Sequence, residues 1–295
     1  AEDMRKRLYP HVARGAEHRA LPPDSNTGDG IRLGLSAGGG FIEDVHHAAA
    51  WTPVSLVPQA GGGVVPFPHF IDRGKPGYIA VDRRGRRFVN EAKSYHVFVP
   101  AMIEACRQDS AVECWLITDH RGIRRYGLGA AAPSPMPLGP HLRSGYIVRG
   151  GTLRELAERL GIGPDGLAAT VDAYNGPARE GRDVQFGKGG DAYQRFNGAA
   201  GHTPNPCVAP IEHPPYYAVR LVPGDIGTFA GLKTDPQTRV LDGDGRAVAG
   251  LYAVGNDMAS VMGGTYPGAG ITIGPALTFG YIAGRTIAAD AAGRS

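Results

Sequence analysis

The chain has 295 residues, enough for one large domain or two ordinary ones. Apolar residues make up 42% and charged residues 20%, a balance that supports a packed core and excludes an intrinsically disordered chain. Lys and Arg number 31 against 28 Asp and Glu, and the resulting +3 excludes the electrostatic footprint of a nucleic-acid binder.

The opening residues, Ala1 to Leu8, read as helix with neither an initiator Met nor a signal peptide before them, so the numbering is expected to begin partway into a longer polypeptide. Asn26 to Leu35 predicts a second helix, with Thr27 or Asp29 as N-cap and Gly38, Gly39 and Gly40 ending it. The stretch from Pro53 to Pro68 is rich in Pro and Gly and reads as loop. Tyr78 to Asp82 and Arg87 to Asn90 then predict a hairpin. The basic run Arg83-Arg84-Gly85-Arg86-Arg87 is its solvated turn rather than a phosphate-binding patch. Residues 97–107 and 152–160 have helical apolar spacing, and Asp165 to Asn175 adds another helix, with Leu167, Val171 and Tyr174 at spacings of four and three. The Gly-, Pro- and Asn-rich stretch over 177–215 reads as loop or lid. Gly250 to Gly255 predicts a short buried strand stopped by glycine, and Gly274 to Ala289 a helix of small residues. No internal repeat is visible, and no apolar run approaches the roughly 18 residues of a membrane-spanning helix.

Several motifs carry little chemistry. Gly161-Ile-Gly163-Pro-Asp-Gly166 fits the dinucleotide pattern G-x-G-x-x-G, but it follows a helix where that fingerprint demands a strand. Gly161 reads instead as a helix C-terminal residue and Asp165 as the cap of the next helix. Cys106, Cys114 and Cys207 have no metal-ligand spacing and form no even set, which points to no metal centre and to a reduced, cytoplasmic setting. The adjacent His46 and His47 would point apart on a strand, which disfavours paired ligation. His96 stands beside Tyr95 and could tune it. Tyr216-Tyr217 reads as a strand with a packing role, and Asp119-His120 makes no triad because no G-x-S-x-G elbow exists.

The informative region is the last quarter. Glycine and proline are abundant throughout, 45 and 24 residues, roughly twice the usual combined share. From Gly250 through Gly280 they form a strand, a thin loop and a helix start. Such a loop lets backbone N–H groups approach a flat ligand, and a helix N-terminus behind it suits an anionic oxygen such as that of a reduced flavin.

The run Met262-Gly-Gly-Thr-Tyr266-Pro-Gly-Ala-Gly270-Ile-Thr-Ile-Gly274-Pro-Ala-Leu-Thr-Phe-Gly-Tyr281 resembles the C-terminal flavin segment of the fumarate reductase and 3-ketosteroid dehydrogenase superfamily, most of all its 3-ketosteroid Δ1-dehydrogenase branch. Asn26-Thr-Gly-Asp-Gly-Ile31, Gly85-Arg-Arg-Phe-Val-Asn-Glu91 and Leu156 to Gly187, with its Thr-Val-Asp-Ala-Tyr-Asn core, resemble the same enzymes. The resemblance implies FAD as cofactor and an α/β flavin-binding domain that is incomplete here, lacking its N-terminal Rossmann βαβ unit. An inserted α+β substrate or capping domain completes the implied fold. The expected boundaries are 1–50 and 219–295 for the flavin-binding domain and 51–218 for the insertion. The ADP-binding half, as a separate segment or chain, is then an implied partner.

Carried over position by position, Tyr266 and the Gly270 N–H would polarise a substrate carbonyl and Tyr95 would take the α-proton, with the flavin accepting hydride from the β-carbon. Asn256 would touch the ribityl chain, Ile271 and Thr272 would line the isoalloxazine, and Gly255, Ile273 and Gly274 would be further cofactor-binding residues. Tyr95, Tyr266 and Gly227 stand where the fumarate enzymes carry two arginines and a histidine. That departure favours a small neutral carbonyl substrate over a dicarboxylate. The implied activity is FAD-dependent dehydrogenation of a carbon–carbon bond next to a ketone. The alternatives are a fumarate reductase-like enzyme acting on unsaturated acids, or an inactive half of a two-chain flavoprotein.

Overall fold

A computed structural model describes residues 2–292. In chain order the first elements are α1 (Glu2–Leu8), α2 (Pro10–Ala13), β1 (Arg19–Ala20), α3 (Asp29–Ser36), β2 (Phe41–Ile42), β3 (Ala49–Pro58), β4 (Val64–Pro68) and β5 (Tyr78–Val81). The middle holds α4 (Tyr95–Ala105), β6 (Cys114–Asp119), α5 (His120–Tyr126), α6 (Gly139–Arg143), β7 (Val148–Gly150), α7 (Leu153–Leu160), α8 (Pro164–Ala178) and α9 (Ala192–Asn197). The chain closes with β8 (Tyr216–Thr228), β9 (Gly231–Leu232), β10 (Arg239–Leu241), β11 (Ala247–Tyr252) and α10 (Ile273–Ala292). Two compact units share this mixed α/β chain. One comprises the described parts of Ala1–Arg14, Ala20–Ala50 and Asp225–Ser295; the other comprises Gly15–Arg19 and Trp51–Gly224.

The sheet associated with the second unit has the order β4-β3-β8-β6-β5, and β1 and β7 also pair with β8. Residues of β5 and β6 alternate between two apolar cores, as a two-residue strand period requires. Tyr78, Ala80 and Leu116 pack with Phe98 and Ile123, whereas Ile79, Val81, Trp115 and Ile117 pack with Leu156, Leu167 and Val171. The stretch from Pro53 to Pro68 is therefore not loop: β3 and β4 form an antiparallel hairpin from Val54–Pro68 to Pro58–Val64. Pro66 and Pro68 are tolerated because β4 is an edge strand, where a missing N–H need cost no ladder bond.

The basic run splits in two. Arg83, Arg84 and Arg86 are exposed on a turn whose Asp82 carboxylate accepts the N–H groups of Arg84 and Arg86, both at 2.9 Å. The expected second hairpin arm reduces to a single bridge, Val81 to Arg87, because Arg87 turns inward. Its guanidinium is bidentate to Glu91 (2.8 and 2.8 Å) and to Asp183 (2.8 and 2.9 Å), between the rings of Tyr174 and Phe186. The stretch over 177–215 is accordingly anchored and contains α9. Buried Lys188 donates to the carbonyl of Tyr78 at 2.6 Å, and buried Gln194 accepts from Asn90 at 3.0 Å.

The G-x-G-x-x-G segment is the corner between α7 and α8. Gly161 ends α7 in the left-handed region, but Asp165 does not cap α8; Gly163 holds the cap position and Asp165 pairs with Arg154 at 2.6 Å. The glycines are there because the basic turn packs on them: Gly163 N–H donates to the Arg83 carbonyl at 2.9 Å, and a Cβ at Gly166 would fall on the Arg84 carbonyl oxygen. Gly166→Ala should therefore lower stability by about 1–3 kcal/mol, the usual scale for forced overpacking, in a urea titration of the whole chain. An unchanged midpoint would show that the corner yields without cost.

The first unit is built on two ribbons, β2 with β9 and β10 with β11, plus α3 and α10. Its small core gathers Ile31, Leu232, Val240, Ala253 and Met258. The strand expected to be buried over 250–255 is β11, and its residues are exposed or half-buried because it pairs only with β10 among the described residues. Cys106, Cys114 and Cys207 are free, buried and all in the second unit, and burial pushes each thiol up in pKa. Among the described residues no helix is long and apolar enough to cross a membrane.

Candidate active site

The site begins at α3. Gly28 occupies its N-cap position with φ 83°, a left-handed conformation that glycine adopts freely, and no side chain caps the helix. Neither Thr27 nor Asp29 serves as the expected cap: the Thr27 hydroxyl donates to the Asp29 carboxylate at 2.8 Å, and Arg32 holds the same carboxylate. The first turn of α3 thus presents an uncapped, electropositive end.

That end lines a groove of about 380 Å³ together with Tyr9, Asp225, Gly227, Asn256 and Asp257, all of the first unit. Two glycines keep it open. A Cβ at Gly30 would overlap the Asp257 carboxylate, and one at Gly227 would stand 3.1 Å from the Asn256 amide and 3.3 Å from Thr272. Thr228 donates to the Asn256 carbonyl at 2.9 Å, fixing the turn Gly255–Asp257 against the end of β8. Partial burial raises the Asp257 pKa. Burial likewise raises that of Tyr9, with the neighbouring Asp225 charge adding to it. Sequence reasoning passed over Tyr9 and Asp225; the flanking glycines of Gly224-Asp225-Ile226-Gly227 were the available signal.

A second, narrow cavity brings together Gly255, Asn256, Ile271 and Thr272, with Phe229 and Pro275 on its walls. Tyr266 is half-buried against the cluster of Ala50, Phe229 and Ile271, its ring centroid 6.5 Å from that of Phe229. The root of its loop is packed onto backbone: His46 N–H donates to the Gly263 carbonyl at 3.0 Å, and a Cβ at Gly264 would strike the His47 nitrogen. His46 lies on a bend and His47 in the irregular segment after it, neither on a strand, and their rings do not point apart but approach to 4.3 Å. Burial lowers the His47 pKa, and the His46 charge lowers it further. Gly270 is exposed with φ 94°, and its carbonyl accepts the Gly274 N–H at 2.7 Å as α10 begins. Ile273 and Gly274 are exposed on the first turn of α10 and line neither cavity.

Tyr95 belongs to the second unit, as the first residue of α4, where Ser94 caps the helix by accepting the His96 N–H at 3.3 Å. It is buried, with the Phe70 ring 4.8 Å away. The His96 Nδ1 accepts the Trp51 N–H at 3.2 Å. Asp119 is structural: it caps α5 through the Gly122 N–H and accepts the N–H groups of Glu212 and His213.

The family model described as FAD binding domain matches residues 2–273. The chain belongs to this FAD binding domain family. It is 43% identical over 99% of its length to a 4-oxocyclohex-2-ene-1-carboxylate 5-dehydrogenase of Sinomonas cyclohexanicum, and covers 49% of that protein. It is 40% identical over 91% of its length to a 3-oxosteroid 1-dehydrogenase of Mycolicibacterium smegmatis, covering 47% of it. A crystal structure of 3-ketosteroid Δ1-dehydrogenase from Sterolibacterium denitrificans, in complex with 1,4-androstadiene-3,17-dione, superposes with a TM-score of 0.88. The identity there is 39%, over 98% of this chain and 51% of that one. The chain thus spans about half the length of the relatives it matches.

Proposed function

We propose that this chain forms the isoalloxazine-side and substrate-capping portions of an FAD-dependent enzyme that dehydrogenates a carbon–carbon bond next to a ketone. The observation that carries the reading is the groove of the first unit, where the Asn26–Ile31 motif, Gly227 and Asn256, far apart in sequence, line one space. Its chemistry fits FAD. The uncapped start of α3 suits a phosphate oxygen, while the carboxylates of Asp225 and Asp257 suit ribityl or ribose hydroxyls. Bound there, FAD would supply the hydride acceptor. In this reading residues 1–50 and 219–295 serve the cofactor and residues 51–218 cap the substrate, the remaining cofactor contacts coming from polypeptide outside these 295 residues.

The residues of the chain itself then have distinct tasks. The Tyr266 hydroxyl and the Gly270 N–H donate to the ketone oxygen, acidifying the adjacent C–H, and Tyr95 receives that proton. Gly255, Asn256, Ile271 and Thr272, which line the narrow cavity, hold the flavin side, and the exposed Ile273 and Gly274 border it at the start of α10. Tyrosines at 95 and 266 and glycine at 227 offer no clamp for a dicarboxylate, so a ring ketone is the preferred substrate class, and fumarate or succinate should turn over poorly.

Tyr266→Phe tests the carbonyl donor in flavin-loaded enzyme with an artificial electron acceptor. Turnover of a 3-oxosteroid or an oxocyclohexane substrate should fall on the order of a hundredfold, the scale of one oxyanion-type donor, with flavin absorbance near ~450 nm retained. Near-normal turnover at unchanged flavin content, or efficient turnover of succinate by the parent enzyme, would remove this reading.

A further inference from the structure

Resting on the reading of Tyr95 as the proton acceptor, we propose that Arg73 is its positioning residue. In this proposal the buried guanidinium ties together the two backbone segments that present Phe70 and Tyr95. Arg73 lies in the short turn Asp72–Gly74 and is 1% exposed. Its Nε–H donates to the His69 carbonyl at 2.7 Å and its Nη1 to the Glu91 carbonyl at 2.7 Å. Its Nη2 donates to the carbonyls of Phe70 at 3.1 Å and Lys93 at 3.3 Å. The guanidinium also sits 4.9 Å from the ring of Phe98, the residue one turn beyond Tyr95 in α4.

A buried cation whose bonds all go to carbonyls is costly where an apolar side chain of similar volume would fill the space. What it provides is geometry. The planar fork satisfies four acceptors in two chain segments at once, which the point charge of a lysine does not reproduce. One of those segments carries Phe70, whose ring faces Tyr95, and the other ends two residues before Tyr95 itself.

The turn that bears Arg73 is itself fixed, so the fork pulls from a firm base. His69 Nδ1 is 2.6 Å from the Asp72 carboxylate, and its Nε2 is 2.7 Å from the Ser55 hydroxyl on β3. Ser55 is in turn 2.7 Å from the Tyr146 hydroxyl, which accepts the Ala130 N–H at 2.9 Å. Lys188 holds the Arg73 carbonyl at 3.1 Å from the other side. Between Glu91 and α4 the backbone is held by the Arg73 fork, by the Asn90 Oδ1, which accepts the Ala92 N–H at 3.0 Å, and by the Ser94 cap. A base must sit within hydrogen-bond reach of its proton, and a displacement of about 1 Å is enough to cost ~10²-fold.

The test reads the ring of Tyr95 directly, by NMR of the whole chain labelled with [13Cζ]tyrosine and assigned with Tyr95→Phe. In Arg73→Lys and Arg73→Met the Tyr95 resonance should shift and broaden while that of Tyr146 stays in place. Phe98→Leu, which loosens the seat of the guanidinium, should move it in the same direction by less. In flavin-loaded enzyme Arg73→Lys should lower kcat at least tenfold with KM within about threefold, exceed Arg73→Met in rate, and add no further loss on a Tyr95→Phe background. An unmoved Tyr95 resonance in a folded Arg73 variant overturns the proposal, as does an Arg73→Lys loss of equal size with and without the Tyr95 hydroxyl. If neither Arg73 variant folds, Phe98→Leu decides by the same resonance. Normal turnover of Tyr95→Phe would instead sink the base assignment, and the NMR result would still show whether Arg73 holds that ring.

Discussion

Replacing Tyr95 by phenylalanine should lower turnover of the flavin-loaded enzyme by ~10²–10⁴, the range of a lost general base, with flavin content and thermal midpoint unchanged. The substitution removes one hydroxyl and keeps the ring that packs against Phe70 at 4.8 Å. An ordinary phenol, with a pKa near ~10, is a weak base at neutral pH, so its anion needs local support. Tyr95 stands at the first position of an eleven-residue helix, where the aligned peptide dipoles present their positive end. Combined with Tyr266→Phe the loss should be smaller than the product of the two, because acidifying the α-proton helps only when a base receives it. Stopped-flow reduction of the flavin by a ring ketone measures all three variants. A Tyr95→Phe rate within a factor of two of the parent would move proton abstraction to another group.

Breaking the buried cluster around Arg87 should have the largest effect on stability. Arg87→Met leaves Glu91 and Asp183 buried without their bidentate partner, and one-sided removal of such a pair costs about 3–5 kcal/mol. The pH dependence has a definite sign. Burial pushes the Glu91 carboxyl up, but the Arg87 and Lys188 charges outweigh it and hold its pKa below the usual value. Asp183 is lowered in the same way, the Arg87 bonds prevailing over burial. Both acids therefore contribute stability that is fully present above their unfolded values, about 4, and is lost as pH falls through the lower folded ones. Urea midpoints should differ most between parent and Arg87→Met near neutral pH, and the difference should narrow below about pH 4. A gap that stays constant from pH 7 to pH 3 would place the cost of the substitution in packing rather than charge.

Much of the fold was legible where local pattern and tertiary use agree. The spacing of Leu167, Val171 and Tyr174 marked a helix, and all three are buried on one side of α8. The corner at Gly161–Gly166 was readable for the same reason: a helix preceded it, so the dinucleotide pattern had no strand to stand on. Legibility failed where a residue's partner lies far along the chain. Nothing near Arg87 announces that it meets Asp183, 96 positions later, so the basic run looked uniformly solvated and 177–215 looked loose. Proline misled at Pro66 and Pro68 because edge position is a property of the sheet, not of the segment. The glycines and tyrosines of the candidate site stood out by motif, whereas the roles proposed for Arg73 and Asp257 depend on what folding places beside them.

The three thiols of the second unit give this protein an internal clock. Each is buried, and burial holds each in its protonated, unreactive form. A disulfide reagent offered to the native chain can modify Cys106, Cys114 or Cys207 only in moments when the surrounding structure opens, so labelling time measures how often that happens. Because Cys207 accompanies the anchored stretch after α9 and Cys114 lies in the central strand β6, separate modification rates would tell partial unfastening of that stretch from complete unfolding of the unit.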